Sequence, residues 1–251
     1  MKVFAETFLI QKQGCTREEQ EDAAWAVERC EDEQTCVRLA VADGATESIF
    51  AGRWAKQLVD AVGNGKLSSS NFSNGISQLR ADWHQWLAGK TLPWYAEEKA
   101  RQGAFAALVA LELSVENGSE THEGSWTATA VGDSCVFHVR GKEILNRFPL
   151  TSSEAFDSRP YLLSSVCGES EQRIEESRRG TWCVGDYFYL MTDALACWFL
   201  KHIDGGGSPS DLKGYFGSQD GNDSFGAWVN SLRKQGSIRN DDCTLVRVEM
   251  R

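Results

Sequence analysis

The sequence lacks the features that would place a protein in a membrane or direct it out of the cell. No apolar run approaches the ~18 residues that a membrane-spanning helix requires, so neither a membrane span nor a membrane partner is predicted. The N-terminal stretch Met1–Glu6 becomes charged too early for a secretory signal. A cytoplasmic location is therefore expected.

Paired cysteines and an excess of basic residues are also missing. The 8 cysteines include no C-x-x-C pair, which disfavours a zinc site or a disulfide framework and favours reduced thiols. Lys and Arg number 26 against 36 Asp and Glu, which gives a net charge of -10. Binding to a nucleic-acid backbone needs a basic surface, so nucleic acid is not expected as a partner.

Residues for histidine or serine catalysis are not found in any recognisable arrangement. The four histidines, at positions 84, 122, 138 and 202, lie outside every motif described below. Ser134 has no histidine and aspartate in a recognisable triad, so a nucleophilic serine is not expected.

What the chain does contain is a set of short acidic motifs beside predicted strands. They are Arg17–Asp22, Asp43-Gly44, Thr192-Asp193-Ala194 and Asn240–Thr244. A strand end holds a carboxylate rigidly, and several carboxylates that converge in one cleft repel each other unless cations neutralise them. Ligands that are all oxygen select hard ions such as Mg²⁺, Mn²⁺ or Ca²⁺. The motifs therefore predict a metal site built from carboxylates.

Each motif taken alone also has a simpler explanation. Asp43-Gly44 is an ordinary turn sequence, and Asp193 is well placed to cap a helix. Turn or surface roles are open to the remaining polar residues, which are Arg17, Glu21, Asp22, Asp133, Asp241 and Asp242.

The order of five motifs along the chain carries more information than any one of them. The elements are Arg17 with Glu21 and Asp22, Asp43-Gly44, Gly132-Asp133-Ser134, Thr192-Asp193, and Asp241-Asp242-Cys243-Thr244. In this order they resemble the metal-dependent serine/threonine protein phosphatases of the protein phosphatase 2C (PPM) family. The resemblance extends from about residue 5 to residue 250.

This resemblance implies a fold of the α+β class. It is an antiparallel β-sandwich flanked by helix pairs, the four-layer αββα arrangement of PPM-type phosphatases. Residues 1–251 would form a single domain, with a short flap-like segment at about 151–171. Hydrophobic spacing by itself predicts only elements. It predicts helices over 47–62, 74–87, 195–202 and 224–235, an exposed hairpin tip at 28–34, and strands near 3–12, 23–29, 36–42, 104–113, 125–131, 134–139, 142–147, 172–178, 186–191 and 243–250.

The resemblance also implies roles for individual residues. Asp43 bridges two divalent ions, Mn²⁺ or Mg²⁺, and a water activated between them attacks phosphorus directly. Arg17 grips the phosphate of a phosphoserine or phosphothreonine protein, the product of a serine/threonine kinase. Asp133 helps to hold a possible third ion. The full set of implied metal ligands is Glu21, Asp22, Asp43, Gly44 (through its carbonyl), Asp133, Asp193 and Asp241.

Three positions depart from the family pattern. Ala45 stands where some relatives carry a histidine that protonates the leaving group, so that proton is expected to come from water. Ala194 replaces the usual glycine, and the two further glycines that usually follow Asp-Gly are missing after Gly44.

Two other functions stay open at this stage. A non-catalytic relative would keep the fold and bind a partner, but the presence of Glu21, Asp43, Asp193 and Asp241 disfavours it. A phosphohydrolase of small phosphate esters would share the metal chemistry and differ in its activity on phosphopeptides. The sequence does not specify the partner kinase or the oligomeric state.

Overall fold

Strands and helices follow one another along most of the chain in the computed structural model, which describes residues 2–26, 29–30, 36–114, 123–156, 160–166, 175–215 and 221–251. The strands are β1 (Val3–Ile10), β2 (Ala23–Trp25), β3 (Arg29–Cys30), β4 (Cys36–Gly44), β5 (Phe105–Ser114), β6 (Glu123–Val131), β7 (Cys135–Arg140), β8 (Glu143–Phe148), β9 (Leu163–Ser164), β10 (Glu176–Cys183), β11 (Asp186–Met191) and β12 (Cys243–Met250). The α-helices are α1 (Ala51–Gly63), α2 (Phe72–Ala88), α3 (Trp94–Gln102), α4 (Asp193–Asp204) and α5 (Gly221–Lys234).

The strands form two sheets in which every described pair is antiparallel. One sheet has the order β3-β1-β12-β11-β7-β8 and is called the terminal sheet, because it contains the first and last strands. The other has the order β10-β6-β5-β4-β2, with β9 added beside β5, and is called the middle sheet. In the terminal sheet β1 pairs with β12 along its whole length, from Val3 opposite Met250 to Ile10 opposite Cys243.

A hydrophobic core lies between the two sheets. Side chains on one face of each strand alternate with those on the other face, so one apolar set from each sheet points inward. Leu39 and Leu111 of the middle sheet are fully buried in this core with Phe188 and Val246 of the terminal sheet.

Helices cover the outer face of each sheet. Trp54 and Leu58 of α1 lie one turn apart and pack with Trp83 of α2 on the middle sheet, where the two indole rings meet edge to face at 5.7 Å. Phe199 of α4 and Phe225 of α5 are buried in the same way against the terminal sheet. The resulting layers are helix, sheet, sheet and helix, so the expected αββα arrangement is confirmed.

Some element boundaries differ from the sequence prediction. Helix α1 begins at Ala51 and not at residue 47, because residues 45–50 form turns in which Phe50 adopts a φ of 60°. Strand β10 occupies 176–183, later than the predicted 172–178. The short strand β9 and helix α3 were not predicted.

Several predictions fall wholly or partly outside the described residues. The hairpin tip at 28–34 is almost entirely outside them, and of the flap-like segment the structure describes 151–156 and 160–166. The single-domain organisation stays a prediction.

All six cysteines whose side chains are described are free thiols. None of the helices in the described ranges has the length and apolarity needed to cross a membrane.

Candidate metal centre

Carboxylates from both sheets meet at one end of the sandwich. Asp43 lies near the end of β4 in the middle sheet. Asp193 lies two residues after the end of β11, and Asp241 lies two residues before the start of β12; these are neighbouring strands of the terminal sheet. Asp133 lies in the turn between β6 and β7, which belong to different sheets. The connections between strands therefore bring acids from distant parts of the sequence to one place.

Asp43 is the most crowded of these acids. Burial raises the pKa of its carboxyl well above the ordinary value, and the negative charges of Asp22, Asp193, Asp133 and Asp241 raise this pKa further. Four like charges that all act on one carboxylate make it costly to ionise without a nearby cation.

Asp22 is buried, and its two oxygens have different surroundings. One oxygen, Oδ2, accepts hydrogen bonds from the hydroxyls of Thr192 at 2.9 Å and Thr244 at 2.8 Å. The other, Oδ1, is buried with no hydrogen-bond partner among the described residues. Burial raises the pKa of Asp22 well above its usual range in spite of the two hydroxyls.

Asp133 and Asp193 are also withdrawn from solvent. Burial, followed by the charge of Asp193, raises the pKa of Asp133 to about 7. The carboxylate of Asp193 accepts a hydrogen bond from the backbone N–H of Ala194 at the start of α4. Asp193 is nevertheless the first residue of α4 and not its N-cap, which is Thr192, so the simple capping role does not apply, and its second oxygen faces a different partner.

That second partner is Arg239, one of two cations that contact the acids. The guanidinium of Arg239 donates a hydrogen bond to Asp193 Oδ2, and its Nε lies 3.5 Å from Asp241 Oδ2. The second cation, Lys12, places its ammonium 3.3 Å from Glu21 Oε2. Arg239 was not predicted as a site residue, and its only signal in the sequence is a basic residue two positions before Asp241.

Asp242 organises the surrounding backbone. Its carboxylate accepts hydrogen bonds from the backbone N–H groups of Lys12 and Glu21, each at 2.7 Å. It thereby joins the loop before β12 to the segment that follows β1. The backbone carbonyl of Asp241 in turn accepts a hydrogen bond from Arg233 of α5 at 2.5 Å.

Gly44 permits a close approach of three chain segments. A Cβ atom at this position would lie 2.8 Å from the backbone carbon of Ala51 and 2.8 Å from the backbone oxygen of Glu21. Both neighbours are backbone atoms that cannot rotate away. Glycine therefore has a packing role here in addition to the carbonyl role implied by the resemblance.

Arg17 is not in contact with the acids. It lies exposed at the start of a short 3₁₀ helix, Arg17–Glu19, and its side chain makes no hydrogen bond or ion pair within the described residues. The guanidinium is therefore free to take an external anion.

The residues fit a hard divalent ion by their chemistry. Among the described residues no group of three or more His, Cys, Asp or Glu side chains is already arranged to hold a metal. Carboxylate oxygens that could bind a metal ion are instead in contact with cations or hydroxyls in the structure. They belong to Glu21, Asp22, Asp193 and Asp241. The all-oxygen donor set, the partnerless Asp22 Oδ1 and the mutual repulsion at Asp43 are nevertheless what an oxygen-ligated cation would satisfy.

Comparison with solved structures identifies the fold. A serine/threonine phosphatase of Mycobacterium tuberculosis, PstP/Ppp, matches 100% of this chain and 99% of its own at 12% identity with a TM-score of 0.61. PstP in complex with two manganese ions matches 98% of both chains at 13% identity with a TM-score of 0.58. The chain has the PPM-type phosphatase fold. PppA of Pseudomonas aeruginosa, a regulatory component of T6SS, shares this PPM-type fold over 99% of both chains at 18% identity, with a TM-score of 0.55.

Sequence comparisons add nothing to this result. No family model and no curated protein matches the chain. At 12–18% identity the structural likeness establishes the PPM-type fold, and the roles of individual residues rest on the motifs and on the geometry above.

Proposed function

We propose that this protein is a metal-dependent phosphatase that hydrolyses phosphoserine and phosphothreonine in proteins. One observation supports this most strongly, namely the convergence of buried acids from both sheets on Asp43. The fold adds support, because serine/threonine phosphatases share it along their whole length.

In this proposal the acids at the sandwich end hold two divalent ions, with Mn²⁺ favoured by the manganese-containing PstP structure. When bound, the ions supply an activated water and balance negative charge on phosphorus. The residues that would hold these ions are Glu21, Asp22, Asp43, the Gly44 carbonyl, Asp193 and Asp241, and Asp133 would help to hold a third ion.

Other residues of the chain bind the substrate and keep the metal-binding side chains in place. Arg17, whose guanidinium is unengaged, grips the phosphate through paired charge-assisted hydrogen bonds. Asp242 fixes the loop that carries Asp241 by binding the backbone of Lys12 and Glu21. Ala45 offers no acid at its position, so the proton for the leaving serine or threonine oxygen comes from water.

The test is an assay on phosphoserine and phosphothreonine peptides with added Mn²⁺ or Mg²⁺. We expect turnover that disappears in excess EDTA and returns when the metal is restored, because all-oxygen sites exchange such ions readily. Asp60→Asn, which removes a surface acid paired with Lys56, is the matched control and should keep full activity.

Two results would redirect the assignment. Hydrolysis of p-nitrophenyl phosphate without any action on the peptides would favour a phosphatase of small esters. Metal binding with no turnover on either substrate would favour a partner-binding role for the same fold. Full activity in excess EDTA would refute the metal mechanism.

A further inference from the structure

Arg239 holds an unusual position among the acids of the candidate metal centre. It lies in the loop between α5 and β12, two residues before Asp241. Its guanidinium donates to Asp193 Oδ2 and approaches Asp241 Oδ2 through a second nitrogen, at 3.5 Å. One side chain therefore joins the two carboxylates that the terminal sheet contributes to the centre.

The guanidinium of Arg239 contacts the same carboxylate oxygens, Asp193 Oδ2 and Asp241 Oδ2, that would bind a metal ion. Its planar fork matches two acceptor oxygens and carries a permanent positive charge. Asp193 Oδ1 is already bonded to the backbone of Ala194, so Oδ2 is the oxygen left for a cation. A divalent ion and Arg239 cannot both occupy that oxygen in the same geometry.

The side chain of Arg239 also has room to leave. It is 58% exposed, whereas the Asp193 side chain that it contacts is 11% exposed. The acid is therefore fixed at the start of α4 while the cation sits at the solvent side. Lys12 differs, because it contacts Glu21 and Thr46 at the periphery and neither Asp193 nor Asp241 in the described contacts.

We propose that Arg239 is an internal counterion of the metal-free protein, and that a divalent ion must displace its guanidinium from Asp193 and Asp241 in order to bind. This inference rests on the proposed metal-dependent function. Binding is then a competition between two cations for one pair of carboxylates, and the affinity for metal is lowered by the free energy of the contacts that are lost.

The test compares Mn²⁺ binding to the metal-stripped full chain by isothermal titration calorimetry, in wild type and Arg239→Ala. We expect the variant to bind Mn²⁺ at least about fivefold more tightly, because the competitor has been removed. In EDTA the same variant should melt at a lower temperature than wild type, because the crowded acids lose their counterion. Arg239→Lys should fall between the two in affinity, because it keeps the charge and loses the fork.

Two control variants separate displacement from a general change of charge. Arg147→Ala breaks an ion pair of the same kind, at 2.8 Å from Asp204, on a different part of the surface. Arg17→Ala removes a cation next to the acidic motif that makes no carboxylate contact within the described residues. Both should bind Mn²⁺ within about twofold of wild type. Salt screens the exposed charge of Arg147 from the site, and Arg17 has no contact with the acids that a metal ion would have to replace.

Each outcome decides the matter. Equal or weaker Mn²⁺ binding by Arg239→Ala, with a folded protein by circular dichroism, would overturn the proposal, because Arg239 would then be neutral or supportive toward the metal. Equal tightening in Arg17→Ala would also overturn it in favour of a simple charge effect. If Arg239→Ala fails to fold, Arg239→Met retains the side-chain stem and takes its place. If wild type and all variants fail to bind Mn²⁺, both the proposed metal centre and this inference are refuted. If the enzyme is metal-dependent but Arg239→Ala has the Mn²⁺ affinity of wild type, only this inference is refuted.

Discussion

At the scale of single residues, the crowding around Asp43 dominates the chemistry of this protein. Its carboxyl is surrounded by acids from four other positions, and burial adds to the cost of charging it. A carboxyl whose pKa is raised in the folded state destabilises that state whenever it is ionised. The folded protein therefore contains mutually repelling carboxylates at neutral pH, and under the proposed function bound cations would relieve this repulsion.

Replacing Asp43 by asparagine should separate stability from activity. We expect Asp43→Asn to abolish metal-dependent turnover and to raise the Tm of the EDTA-treated protein by about 2–4 °C, because one of several mutually repelling charges is removed. Differential scanning calorimetry and the peptide assay measure the two effects. The surface variant Asp60→Asn should keep the turnover of wild type and should not raise the Tm. A lower Tm for Asp43→Asn would mean that the carboxylate is a net stabiliser.

Arg17 should act on substrate and leave metal affinity almost unchanged. Each charge-assisted hydrogen bond is worth about 1.5–3 kcal/mol, so Arg17→Ala should lower kcat/KM at least about tenfold. Titration with Mn²⁺ while kcat/KM is followed separates the two effects. An unchanged kcat/KM would leave Arg17 as an exposed surface residue, and the phosphate would have to be held elsewhere.

At the scale of elements, the end of β4 determines how closely three segments can approach. Gly44 closes this strand against the first residue of α1 and against the backbone of Glu21. Gly52 does the same at the second residue of α1, where a Cβ would lie 2.9 Å from the backbone oxygen of Gln20. Two small residues therefore let the segment with Glu21 and Asp22 pack on the strand that carries Asp43.

Gly44→Ala should push these elements apart. The added methyl group meets backbone atoms on both sides, and overpacking of this kind costs about 1–3 kcal/mol. We expect a lower free energy of unfolding in urea and weaker Mn²⁺ binding, because the acids are displaced together with their elements. Gly214→Ala is the matched control, since nothing lies within 4 Å of a Cβ at that position. Equal stability of the two variants would contradict the packing role.

The elements that sequence could predict are those with large apolar side chains at regular spacing. Trp54 and Leu58 of α1 and Trp83 of α2 are of this kind, and both helices were predicted. Helix α3 escaped prediction because its buried residues within the described set are only Ala96 and Ala100, which give little periodic signal.

Contacts between distant residues set a different limit on prediction. Asp22 is bound by Thr244, 222 positions away, and no local pattern indicates such a pairing. The motif acids were found because each lies beside a strand, but Arg239 and Lys12 were missed. A cation that contacts an acid can be assigned only when the arrangement of the chain in space is known.

At the scale of the whole molecule, a second charged cluster lies at the end of the sandwich away from the candidate metal centre. His138 contacts Asp186 at 2.8 Å, and Arg140 donates to the same carboxylate at 2.7 Å and 2.9 Å. The imidazole stacks on Phe188 at 4.5 Å inside the core. Burial lowers the pKa of His138, so the folded state holds it neutral, although the hydrogen bond to Asp186 acts in the opposite direction.

This cluster should make the protein sensitive to acid. Because the pKa of His138 is lower in the folded than in the unfolded chain, the unfolded chain takes up the proton first as the pH falls below about 6.5, and stability is lost by up to about 1.4 kcal/mol per pH unit. The acids around Asp43 act in the opposite direction, so the test is a difference between variants: relative to wild type, the unfolding free energy of His138→Phe should rise between pH 7 and pH 5. His84→Gln, at an exposed position on α2, should leave the pH dependence of wild type. Identical pH profiles for wild type and His138→Phe would show that another group is responsible.

The pairing of β1 with β12 has a consequence for how the protein is made. Strand β12 lies inside the terminal sheet, between β1 and β11, and is synthesised after all the other described strands. Until it emerges, β1 and β11 have no common neighbour, and the acid that precedes β12, Asp241, is absent from the centre. The strands of the middle sheet all lie within residues 23–183, whereas the terminal sheet is complete only once β12 has been synthesised. A nascent chain stalled before residue 243 would therefore present the edges of β1 and β11, which β12 otherwise pairs, to chaperones.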